Sequence, residues 1–168
     1  MTNQQILTHS LPDIESFSFE KHPKRFLNKK LIANTLYMIP LAIAVGFLFY
    51  NFSEFPWLGW SGLGLWASIL LFSLFVNYKE YFVRGYTLRE HDITYRKGWI
   101  FHHQITVPFN RIQHTEINHG PIDRLFNLCE LEIYTAGGSS SDLSISGLDP
   151  KDAQNLKSFV AGKTSTHV

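Results

Sequence analysis

Residues 31–52 read LIANTLYMIPLAIAVGFLFYNF, and residues 56–78 read PWLGWSGLGLWASILLFSLFVNY. Neither stretch holds a Lys, Arg, Asp or Glu. Each has close to twenty residues, enough to cross about 30 Å of hydrocarbon at roughly 1.5 Å of helix rise per residue. Charge-free runs of that length predict a transmembrane hairpin over 31–78, with spans 31–52 and 56–78. The break around Ser53, Glu54 and Phe55 is short, so the helices must be antiparallel neighbours. Trp57 and Trp60, with Tyr50 and Phe55, form an aromatic belt at that end. Asn34 is expected to reach the interface near the helix entry. Pro40 removes one backbone donor inside the first helix. Gly59, Gly62 and Gly64 offer small surfaces for close helix approach. Ion and substrate paths through a bilayer are marked by ionisable residues; these spans have none, which argues against a transporter or channel.

Outward from the hairpin, residues 1–30 form an N-terminal arm, of which residues 1–19 are polar and mixed with Phe17 and Phe19 as their large anchors. Its end is basic, with Lys21, Lys24, Arg25, Lys29 and Lys30 against Glu20. Two readings fit. Lys and Arg orient a span by staying on the cytoplasmic side, and they also attract anionic lipid heads. Lys24, Arg25, Lys29 and Lys30 are therefore candidate lipid contacts, joined by Arg96 and Lys97 beyond the hairpin. The inter-span loop carries Glu54 and no cation, so both termini are expected in the cytoplasm. The net charge of +1 lacks the clustered basic footprint of a nucleic-acid binder. A single cysteine, Cys129, excludes an internal disulfide and a zinc centre built on several thiolates.

After Tyr78 the pattern changes to short β-like stretches punctuated by turn residues about every ten positions. We expect a domain over 79–163, followed by a tail over 164–168. Strands are expected at Tyr81 to Leu88, Ile93 to Arg96, Gln104 to Phe109, Arg111 to Asn118, Leu128 to Tyr134, and around Leu143 and Ile145. Leu131 and Ile133 should face the core, with Glu130, Glu132 and Tyr134 on the other face. Gly137-Gly138-Ser139 reads as a hairpin turn. The period then becomes helical. Asp149 is a plausible N-cap, Pro150 suits the first helical position, and Ala153, Leu156 and Val160 form a stripe. Leu148 is placed to staple to Ala153, and Gly162 to end the helix. The fold class is α+β: a two-helix membrane hairpin, then about six or seven antiparallel strands capped by a C-terminal helix.

Several ordered motifs carry a resemblance. They are Arg96-Lys97-Gly98-Trp99, Val107 through His114 (VPFNRIQH), Gly120 through Phe126 (GPIDRLF), Tyr134 through Gly138 (YTAGG), and Gly147-Leu148. Together they resemble the bacterial PH-like domain family, and more narrowly its membrane-flanked YdbS-like proteins, over most of residues 81–161. The resemblance implies a PH-like β-barrel or sandwich with a C-terminal helix behind a membrane hairpin, in the bacterial inner membrane. Where the family commonly has Gly after the Phe, this chain has Asn127, the next-best residue for a left-handed backbone. The resemblance also implies a partner, a larger sister membrane protein with repeated PH-like domains, and a role in envelope stress or toxin resistance. A homo-oligomer is a further possibility.

Catalytic, metal and cofactor readings gain little. Neighbours in a strand point to opposite faces, so His102 and His103 do not chelate together easily, and His114 and His119 bring no carboxylate set. Cys129 has no nucleophile context and reads as a packed thiol. The candidate interaction or loop-fixing residues are Arg111, Gln113, Gly120, Asp123 and Arg124, around the Gly120-Pro121 break, with Arg–Asp pairing expected there. The leading functional reading is a non-catalytic interaction module that docks a membrane protein at the cytoplasmic face. The alternative is a lipid-headgroup sensor, which requires Arg84, Arg96, Lys97 and Arg111 to form a basic pocket. A membrane enzyme is the least supported reading.

Overall fold

The computed structural model describes residues 18–51, 54–136 and 141–165. Phe17 and the turn expected at Gly137-Gly138-Ser139 lie outside the described residues.

Two long helices form the hairpin: α1 (Lys24–Asn51) and α2 (Pro56–Val83). Both carry large apolar side chains facing outward along their length, among them Ile43, Phe47, Leu65 and Phe72. Outward-facing Ile, Phe and Leu in such numbers suit a lipid surround and would be costly in water. Between the helices the seam is polar at one level. Asn34 donates to Ser73 Oγ at 2.8 Å, and Asn77 donates to Asn34 Oδ1 at 3.3 Å. Asn34 is thus turned into the hairpin, not to the interface as expected, because an amide in apolar surroundings needs a partner. Gly59 admits Phe49 so closely that a Cβ would stand 1.5 Å from its ring, whereas a Cβ at Gly64 would meet nothing within 4 Å.

Both helices outrun the charge-free stretches on the same side. The α1 helix starts at Lys24, and α2 continues through Lys79, Glu80 and Tyr81 to Val83. Tyr81–Val83 are therefore helical, not the start of a strand. Their β-branched and aromatic composition suits a strand, but α2 simply continues until Arg84 turns extended.

Among the described residues the domain has six strands: β1 (Gly85–Leu88), β2 (Asp92–Lys97), β3 (His103–Pro108), β4 (Ile112–Asn118), β5 (Cys129–Thr135) and β6 (Leu143–Leu148). They make two antiparallel three-stranded sheets, β1-β2-β3 and β4-β5-β6. A single 3-10 turn, Phe109–Arg111, joins the sheets, and a short helix α3 (Pro121–Leu125) links β4 to β5. Alternation along β5 buries Cys129, Leu131 and Ile133, as its sequence pattern requires. Ile93, Tyr95 and Val107 from the first sheet meet Leu131, Ile133 and Ile145 from the second in one core.

Helix α4 (Pro150–Ser165) closes that core with Ala153, Leu156 and Val160. Asp149 accepts the Lys151 N–H at 3.1 Å, which satisfies a helix-end donor. The helix passes through Gly162 instead of stopping there. Asn127 adopts φ 52°, the left-handed turn that its place after Phe126 calls for.

Candidate functional site

Residues 18–30 tie the hairpin to the domain, and the candidate site grows from that junction. Glu20 pairs with Tyr86 by two backbone hydrogen bonds, at 2.8 and 3.2 Å, so the arm extends the edge of the first sheet. His22 and Phe26 follow, both buried, with ring centroids 5.0 Å apart. His22 Nδ1 lies 3.4 Å from the carbonyl of Gly147, and Tyr81 donates to the His22 carbonyl at 2.8 Å. Gly147 has φ +81°, and a Cβ there would sit 2.0 Å from the Phe26 ring. The arm's plug is therefore built on the absence of a side chain in β6. Burial first, then the Arg84 charge, lowers the His22 pKa to about 4.

Three basic residues of the arm face carboxylates of the same chain. Arg25 pairs with Asp149, Lys29 with Asp123 at 2.5 Å, and Lys30 with Glu80. Glu80 also holds Arg84, which donates onward to Ser146 Oγ at 3.0 Å. Asp149 uses one oxygen for the start of α4 and the other for Arg25 in the first turn of α1. Cations in a helix's first turn oppose its dipole, and this carboxylate offsets them. Among the six candidate lipid contacts, Arg25, Lys29 and Lys30 are thus engaged within the chain. Arg96 is too: it donates to the Val83 carbonyl at 3.2 Å and stands over the Phe19 ring at 4.2 Å. Lys24 and Lys97 make no ion pair among the described residues. Of the four residues of the lipid-sensor pocket, Arg84 and Arg96 are turned to these partners, and Arg111 lies in the 3-10 turn that joins the two sheets.

The Gly120 loop separates into two parts. Asp123 is buried against Lys29, and its backbone carbonyl accepts the N–H groups of Phe126 and Leu128. A Cβ at Gly120 would stand 2.8 Å from Asp123 Oδ2, so glycine leaves room for that carboxylate. Arg111, Gln113 and Arg124 are exposed, and neither arginine pairs with Asp123. The expected Arg–Asp pairing is replaced by one to the membrane helix. Gln113 is the extra residue of a β-bulge between Ile112 and His114, a feature that redirects side chains.

Beside Gln113 the outer face of the second sheet is acidic. Glu116 lies opposite Glu132, and Glu130 lies opposite Ser146. Tyr134 donates to Glu132 at 2.7 Å, stacks on His114 at 4.3 Å, and its pKa is pushed up to about 12 by that carboxylate. The sequence places Glu130, Glu132 and Tyr134 on this face; that Glu116 lies opposite Glu132 is a cross-strand register, which spacing alone does not reveal. Cys129 is fully buried, its pKa raised to about 11 by burial, and its Sγ points to the Leu148 carbonyl at 3.6 Å. Among the described residues no group of three His, Cys, Asp or Glu side chains gathers as a metal site. His119 is turned to the Leu128 carbonyl.

The chain thus combines two long apolar helices, two short antiparallel sheets and a capping helix. The profile described as Bacterial PH domain covers residues 36–164. The chain belongs to the bacterial PH domain family. It is 26% identical over 136 residues to the UPF0699 transmembrane protein YdbS of Bacillus subtilis (strain 168), covering 80% of this chain and 82% of that protein. It is also 26% identical over 100 residues to the UPF0699 transmembrane protein YdbT of the same organism, covering 54% of this chain but 20% of that much longer protein. No solved structure matches at a significant level. This bacterial PH domain protein is a membrane protein of the YdbS-like kind.

Proposed function

We propose that this protein is a non-catalytic, membrane-anchored interaction module that docks a second membrane protein. We place the domain and both termini at the cytoplasmic face of the inner membrane, because the cations flank the spans on that side and the connecting loop carries only Glu54. The observation that carries the reading is the placement of charge. Arg25, Lys29 and Lys30 of the arm are paired within the chain and fix the domain on the hairpin, while the exposed sheet face presents Glu116 opposite Glu132. Like charges directly across a ladder are destabilising, and a cationic partner surface would relieve them. An anionic lipid head would be repelled there.

A longer relative with a matching segment, YdbT, exists beside YdbS in one organism. That supports a larger family member as the partner class, with a second copy of this chain as the other candidate. The process we propose is the one the resemblance suggests, envelope stress or resistance to membrane-active toxins.

The test is a photo-crosslinking residue at Gln113 in the protein at native level. The reading expects capture of one stoichiometric membrane protein, lost in Glu116→Lys/Glu132→Lys. Capture of lipid alone, or of nothing, would count against it.

A further inference from the structure

The turn between β2 and β3 carries Gly98-Trp99-Ile100-Phe101-His102, and its apolar side chains are not packed into the domain core. Ile100 is 54% exposed and Phe101 77% exposed. Trp99 instead meets the membrane hairpin, edge-on to Phe75 of α2 with ring centroids 5.6 Å apart. The depth of that contact follows from the helix. From Pro56 to Phe75, α2 rises about 28 Å at roughly 1.5 Å per residue, close to the ~30 Å of a hydrocarbon core. Phe75 therefore lies at the domain-side rim of the apolar layer, one turn before the first charge, Lys79. Lys79 stands beside it, with Nζ 5.6 Å from the Phe75 ring centroid.

The turn is built, not slack. Lys97 pairs with His103 across the ladder. Gly98 has φ +88°, and a Cβ there would lie 1.9 Å from the Phe101 carbonyl. Its flanks, Lys97, His102 and His103, are polar, so the apolar tip is rimmed by residues suited to the head-group layer.

We propose that the β2–β3 turn is a membrane-inserted wedge, with Trp99, Ile100 and Phe101 in the lipid interface and Lys97, His102 and His103 at head-group level. The occupant is the bilayer itself, through continuity with the apolar surface of α2. The wedge gives the domain a second membrane attachment beside the hairpin.

The experiment uses the full chain with Cys129→Ser, reconstituted in vesicles of phosphatidylethanolamine and phosphatidylglycerol. A single Phe101→Cys or Ile100→Cys carries an environment-sensitive fluorophore, with Asn110→Cys in the turn after β3 as the aqueous control. We expect labels at 100 and 101 to be quenched by shallow nitroxide lipids and shielded from aqueous iodide at least fivefold relative to the label at 110. Iodide access equal to that at 110 would overturn the proposal. So would protection from iodide without lipid quenching, which would mean a protein covers the turn.

Discussion

Lys29 of α1 holds Asp123 of α3 at 2.5 Å across 94 residues of sequence. One end of this pair belongs to a membrane helix and the other to the domain it carries. Both side chains are largely buried, so each needs the other: an unpaired buried charge costs far more than the pair contributes. Replacing Asp123 by Ala should destabilise the docked domain by about 2–3 kcal/mol. Lys29→Met/Asp123→Leu, which removes both charges, should recover most of the loss. Thermal unfolding of the reconstituted protein reads both values.

Gly147 is the position where a single methyl should undo the arm. Its φ of +81° disfavours any side chain, and Phe26 occupies the space a Cβ would need. Gly147→Ala should free residues 20–30 while leaving the β5–β6 ladder formed. Hydrogen exchange at Glu20 and Tyr86, whose amides bond one another's carbonyls, would then rise by tenfold or more.

The buried His22 makes the docking pH-dependent. Its folded pKa is about 4, against 6.5 when solvent-exposed. The depressed value means the docked state prefers the neutral ring. The stabilisation is complete above pH 6.5 and falls as pH drops from 6.5 towards 4, because the released arm takes up the proton. The full loss is on the order of 3 kcal/mol. His22→Phe should flatten the dependence of arm protection on pH over that window.

Much of the domain was legible because its signals are local. Leu131 and Ile133 alternate with glutamates, Pro150 follows a capping Asp149, and Asn127 stands where the backbone must turn left-handed. The failures were local signals overruled by their surroundings. Tyr81–Val83 look β-like but continue a long helix, and Gly162 looks like a stop inside a helix already anchored by Val160. Lys29, Lys30 and Arg25 were visible as cations, but their partners lie 94, 50 and 124 residues away. Only the folded topology turns a basic juxtamembrane segment into a set of internal ion pairs.

The Asn34–Ser73–Asn77 contacts set the hairpin's register at modest strength. Interhelical hydrogen bonds in membranes average about 0.6 kcal/mol. Asn34→Leu should therefore cost no more than about 1 kcal/mol and leave the hairpin inserted. Thermal unfolding in the same vesicles should show a shift of a few degrees at most.

The central claim is that the arm locks the domain to the hairpin in one orientation. The most direct measurement is a spin-label distance between Tyr37→Cys on the lipid side of α1 and Gln154→Cys on the open side of α4, in the Cys129→Ser background. The account predicts one narrow distribution at pH 7.5 that broadens on Asp123→Ala. A broad distribution in the parent chain, unchanged by that substitution, would contradict it.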